Sequence, residues 1–179
     1  LKNPHPIEQE VKGPAEVSQL FDAISYSKGA SVIRMLEQFL SPETFREGLR
    51  QYISANQYQN ARTEDLWAAL ENVSQQPVTS IMGTWTGQMG YPVLQVESHR
   101  SEGQTRLSVT QERFVYDRLL GESEPGSDSN GNEVWRVPIS ASQGGEESGV
   151  TVMDGRQAQL DVPGSNSSWV KLNPLQTGF

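Results

Sequence analysis

The chain has 179 residues, 35% of them hydrophobic and 20% charged, with 14 Lys and Arg against 22 Asp and Glu for a formal net charge of −8. That length holds one large domain or two small ones, and the want of any Lys/Arg cluster excludes a nucleic-acid backbone as partner, since counterion release needs clustered cations. With no cysteine in the sequence, disulfides, thiolate metal sites and a cysteine nucleophile are excluded too.

The acidity is spread along the chain, with seven basic against ten acidic side chains in residues 1–91 and seven against twelve in residues 92–179; it reads as solvated surface. No apolar run approaches a membrane span, so no membrane contact is expected from this segment, and the start lacks the basic-then-apolar layout of a signal peptide. The opening at Leu1 without Met and the ending at Phe179 without a polar tail read as a piece of a longer chain.

Two periodicities divide the sequence. After an extended, Pro-punctuated opening, Val32, Met35, Leu36, Phe39 and Leu40 form one apolar helical face. Ser41-Pro42 is a cap followed by proline at the first helical position, and Phe45, Leu49, Tyr52 and Ile53 repeat the spacing. Thr63 is predicted to cap a third helix with Glu64 and Asp65 in its first turn and Leu66, Trp67, Leu70 and Val73 buried. A fourth opens at Pro77 and buries Val78, Ile81, Met82 and Trp85. From Gly90-Tyr91-Pro92 the pattern changes to short β-rich runs at 93–97, 105–115, 134–140, 149–153, 157–162 and 169–172, with a loop at 121–132. The expected fold is therefore α+β in two segregated parts: helices over 1–91 and a small β-sandwich over 92–179.

The chemistry available is narrow. His5 and His99 are the only histidines, and neither lies in H-E-x-x-H, the spacing that aims two imidazoles of one helix at a zinc ion. Both read as surface residues. No Ser-His-Asp arrangement and no phosphate-binding glycine loop is present, so these residues alone assemble no standard hydrolytic or nucleotide site.

One segment stands apart. The run from Leu20-Phe21-Asp22 through Ser25-Tyr26-Ser27-Lys28-Gly29-Ala30 to Met35-Leu36 resembles the stretch that follows the zinc site in the zinc aminopeptidases, the family of aminopeptidase N and the puromycin-sensitive aminopeptidase. Pro14-Ala15-Glu16-Val17 is similar to the family's lead-in, and His5-Pro6 to its Ser-Ser-His-Pro, with Asn3 and Pro4 where the family has the serines. Thr63-Glu64-Asp65-Leu66-Trp67, Thr84 through Val93, and the ending Trp169 to Asn173 with Gln176 to Phe179 also resemble family signatures.

The resemblance implies that residues 1–91 are the helical C-terminal portion of a thermolysin-like catalytic domain and 92–179 the β-sandwich behind it. It implies a parent enzyme that removes N-terminal residues from peptide substrates with zinc, and an upstream catalytic half that would be this chain's partner and hold the metal. This segment carries no metal ligands, and alone it is expected to bind no zinc and to be inactive. Tyr26 would be catalytic: a phenol keeps its proton at neutral pH and can donate a hydrogen bond to the oxyanion of the tetrahedral intermediate. Phe21 matches a position that lines the pocket for the substrate's first side chain. Without the resemblance, Tyr26 reads as a half-buried aromatic at a helix start, Phe21 as a core anchor and Lys28 as a solvated or ion-paired lysine. Gly29 and Ala30 are expected to let their helix pack closely. A different class of function is a non-catalytic scaffold or interaction module derived from the same fold. The compartment is open between the cytoplasm, toward which the missing cysteine and anchor lean, and an ectodomain.

Overall fold

The computed structural model describes residues 5–101, 104–114, 133–162 and 169–174. Its first half is helical. Where the sequence predicts an extended opening, Pro14–Leu20 instead form a 3₁₀ helix: proline sits in the first turn, where no N–H is needed, and Glu16 lies at the positive end of the dipole. Ile24–Lys28 form a widened helical turn in which the Gly29 N–H bonds to the Ile24 carbonyl. Helix α1 (Gly29–Leu40) continues from it and buries Val32, Met35, Leu36 and Leu40.

Ser41 stops α1 at a φ of 74°, and its hydroxyl accepts a hydrogen bond from the Thr44 N–H at 3.4 Å, opening α2 (Pro42–Ala55). Ile53, expected on the packed face of α2, is exposed. The helix approaches its neighbour at Gly48 instead, where a Cβ would lie 2.5 Å from Leu70 Cδ2 and 3.1 Å from Leu70 Cα. Helix α3 (Thr63–Ser74) takes in its expected cap Thr63 as the first helical residue; the cap is Arg62, whose N–H donates to the Asp65 carboxylate at 2.8 Å. Helix α4 (Val78–Thr86) follows Pro77 and buries Val78, Ile81, Met82 and Trp85.

The second half is built of strands. β1 (Pro92–Ser101) and β2 (Gln104–Arg113) pair antiparallel from Pro92↔Arg113 to Ser101↔Gln104. The run predicted over 134–140 shortens to β3 (Val137–Ile139), and β4 (Ala141–Gln143) and β5 (Glu146–Glu147) follow it, joined by Gly144 and Gly145 at φ of 63° and 91°, which glycine adopts freely. β6 (Thr151–Met153) pairs with β3, β7 (Gln157–Val162) with the free edge of β2, and β8 (Lys171–Leu172) with β4. Among the described residues the result is α+β, with helices first and three small antiparallel sheets after. The loop expected over 121–132 lies outside the described residues.

One apolar core joins the two halves: Val32, Leu36, Ile81 and Trp85 from the helices belong to the same cluster as Leu107, Trp135, Ile139 and Leu160. Polar bonds stitch α4 to the strand half. Trp85 Nε1 donates to the Arg136 carbonyl at 2.9 Å, the Arg136 N–H to Thr84 Oγ1 at 3.1 Å, and Gln88 Nε2 to the carbonyls of Thr84 and Val134. Buried Gln111 accepts from the Trp135 N–H at 2.9 Å and donates to the Trp135 carbonyl at 2.8 Å. Among the described residues no helix is long and apolar enough to cross a membrane.

Candidate active site

The widened turn sorts its side chains by face. Ile24 and Lys28 point inward, on the same buried stripe as Val32, Leu36 and Leu40, while Phe21 and Tyr26 are 67% and 62% exposed. The two rings lie side by side, with centroids 6.3 Å apart and planes tilted by 30°. Neither aromatic is the core anchor or half-buried residue that sequence alone suggests; both stand in solvent on one short stretch. Single-turn widenings of this kind recur at functional sites, because the extra residue re-aims the side chains that follow.

Three polar tethers hold this stretch. Asp22 accepts from the Ser25 N–H at 2.8 Å, capping the turn, and its other oxygen is bonded to His5 Nε2. His5 Nδ1 lies 2.7 Å from the Pro6 carbonyl. Gln9 Nε2 also lies 2.8 Å from Nδ1. The Pro6 carbonyl first and the Asp22 carboxylate second hold the His5 pKa above its ordinary 6.5, since each favours a protonated ring nitrogen. The Ser25 N–H, and after it His5, hold Asp22 below 3.8. His5 is thus no exposed loop residue; it is a clasp across 17 residues. His99 is exposed on β1, 3.9 Å from Glu97, as a surface histidine should be.

The third tether is Lys28. It is only 9% exposed and donates to the Gln88 carbonyl at 3.0 Å. Burial pulls its pKa down to about 8, against a smaller upward pull from Glu133. The solvated or ion-paired lysine expected from sequence is therefore corrected: among the described residues no carboxylate pairs with it. The signal that could have found it is its spacing, four residues from both Ile24 and Val32 on the buried stripe. Its acceptor, 60 residues away, left no local trace, nor did the His5–Asp22 pairing. The reason expected for Gly29 is also corrected, since a Cβ there would meet nothing within 4 Å.

Among the described residues the donor set does not fit a zinc site. The two histidines are in different halves of the fold, both nitrogens of His5 are engaged, and among the described residues no group of three His, Asp or Glu side chains is placed to hold a metal. What this surface offers is a hydroxyl donor and an apolar ring, side by side and accessible.

Residues 1–85 match the family described as "Peptidase family M1 domain". Over its whole length the chain is 39% identical to glutamyl aminopeptidase of Homo sapiens, 42% to puromycin-sensitive aminopeptidase of Caenorhabditis elegans and 39% to aminopeptidase A of Gloydius brevicauda. It spans 18% of the length of each of these relatives. Full coverage of this chain at such identity, with the peptidase-domain match on the helical half, leads to one assignment. The chain belongs to the M1 zinc aminopeptidase family.

Proposed function

We propose that the chain forms part of a zinc-dependent metalloaminopeptidase that hydrolyses N-terminal residues from peptides, and that Tyr26 is its oxyanion-stabilising residue. The observation that carries this reading is the placement of Tyr26: a phenol exposed on a tethered, widened turn, in a segment aligned throughout with aminopeptidases. When a nucleophile adds to the scissile carbonyl, negative charge gathers on its oxygen. A hydroxyl already aimed at that position stabilises the charge without reorganising. Phe21, against the Tyr26 ring, would form part of the wall for the substrate's first side chain. Zinc and its ligands would come from residues outside this chain, so the 179-residue polypeptide alone would be inactive.

In the same reading, residues 1–91 correspond to the helical end of a thermolysin-like catalytic domain and 92–179 to a β-sandwich domain. In the full-length protein that carries this chain, Tyr26→Phe is expected to lower kcat by roughly a hundred- to a thousandfold with little change in KM. An unchanged kcat would sink the assignment and favour the second reading, a non-catalytic scaffold that keeps the aminopeptidase fold.

A further inference from the structure

We infer that Lys28 is a positioning residue for Tyr26, anchoring the inner face of the widened turn to the junction of α4 and β1 and so fixing the rotation in which the phenol is presented. This rests on the reading of Tyr26 as the oxyanion donor and adds to it the device that aims it.

The geometry carries the argument. Lys28 and Tyr26 are two residues apart on opposite faces of the same turn, one buried and the other in solvent. A turn with its outer face free can roll about its axis unless its inner face is held. Ile24 and Val32, above and below Lys28 on the stripe, supply apolar contact, which is not directional. The Lys28 ammonium supplies direction: one hydrogen bond of 3.0 Å to the Gln88 carbonyl. The acceptor is itself fixed, because the Gln88 side chain bonds to the carbonyls of Thr84 at the end of α4 and Val134 before β3. The charges around the ammonium are Glu133, paired with Arg113 at 3.0 Å, and His5 with its partner Asp22.

Stability alone does not account for a lysine here. An apolar side chain of similar length on this stripe would avoid the cost of burying a cation, and replacing buried charges by apolar groups is often neutral or stabilising. Burial already drags the lysine pKa to about 8, because the site solvates the charge poorly. A residue that adds direction at the expense of stability, directly behind an exposed phenol, is placed to aim it.

The test is a double-mutant cycle in the full-length protein that carries this chain, with kcat, KM and Tm measured for Lys28→Met, Lys28→Arg, Tyr26→Phe and Lys28→Met/Tyr26→Phe. Lys28→Met is expected to lower kcat about tenfold, as a small misplacement of a catalytic group does, with KM within about twofold and Tm unchanged or higher. Lys28→Arg, which keeps a charged donor, should recover part of the loss. In the Tyr26→Phe background the Lys28→Met loss should vanish, since there is no phenol left to aim. Equal losses in both backgrounds, or an unchanged kcat in Lys28→Met, would overturn the inference while leaving the Tyr26 reading intact. A fall in Tm or loss of folding in Lys28→Met would make Lys28 a merely structural residue and overturn it as well. A Tyr26→Phe protein with unchanged kcat removes the Tyr26 reading, and this inference with it.

Discussion

Around Tyr26 the chain is held by hydrogen bonds and charge: His5 to Asp22, Asp22 to the Ser25 N–H, and Lys28 to the Gln88 carbonyl. Further along, around Leu36 and Leu70, it is held by apolar contact, with both side chains fully buried and α2 drawn onto α3 through Gly48. Polar tethers fix direction with few atoms and leave the outer face open to a ligand. Apolar packing fixes distance with many atoms and leaves nothing open. The comparison explains why Phe21 and Tyr26 are exposed on a stretch that is nonetheless well defined, and it predicts that the two regions respond differently to substitution and to pH.

The largest expected effect on stability is in the packed region. Leu36→Ala removes a side chain with no exposed surface and should cost about 2–5 kcal/mol by urea unfolding; a loss below about 1 kcal/mol would mean that the helices repack freely and that the distinction fails. Next come two glycines that look alike in sequence. Gly48→Ala puts a methyl 3.1 Å from the Leu70 backbone and should destabilise by about 1–3 kcal/mol, since α2 must back away from α3. Gly29→Ala meets open space in a helical conformation and should stabilise by about 0.5–1 kcal/mol. Thermal denaturation of the pair checks both signs at once.

The smallest effect is the pH dependence, and it belongs to the tethered region. His5, raised above 6.5 by the Pro6 carbonyl and Asp22, contributes stability that is full below pH 6.5 and is lost as pH rises through its folded value. Asp22, held below 3.8, contributes stability present above pH 3.8 and lost as pH falls through its own. The clasp is therefore complete between about pH 3.8 and 6.5. Lys28 runs the other way: with its pKa near 8 rather than 10.5, the unfolded chain binds more protons between those values, so this group's contribution rises with pH there. Unfolding measured against pH in His5→Gln should flatten the decline above pH 6.5, whereas Leu36→Ala should shift the curve without changing its shape.

The helices were legible because their information is local. Val32, Met35, Leu36 and Leu40 declare a buried face by spacing alone, and Ser41-Pro42 declares the start of α2. Trp67 and Trp85 fall in the core as their apolar faces require. The strand half was legible in kind and less so in detail. Two-residue strands such as β5 and β8 exist only because β4 lies between them to pair with, and no periodicity records that. Ile53 shows the complementary limit: it keeps helical spacing with Leu49, yet no neighbour covers it.

By itself, then, the sequence determined the order of helices before strands from short-range spacing, and the family from its run of motifs; Tyr26 and Phe21 became the residues to examine only through the resemblance those motifs carry. Only the tertiary structure decided that both aromatics face solvent, that His5 clasps Asp22 instead of standing free, and that Lys28 is buried against the Gln88 carbonyl. Each of these depends on which distant segment arrives beside the turn, and that is set by the shared core that seats α1 and α4 on the sheets. The same physics divides the two regions compared above: apolar faces carry their pattern in the chain, whereas a polar tether exists only once its partner has been brought within 3 Å by everything else.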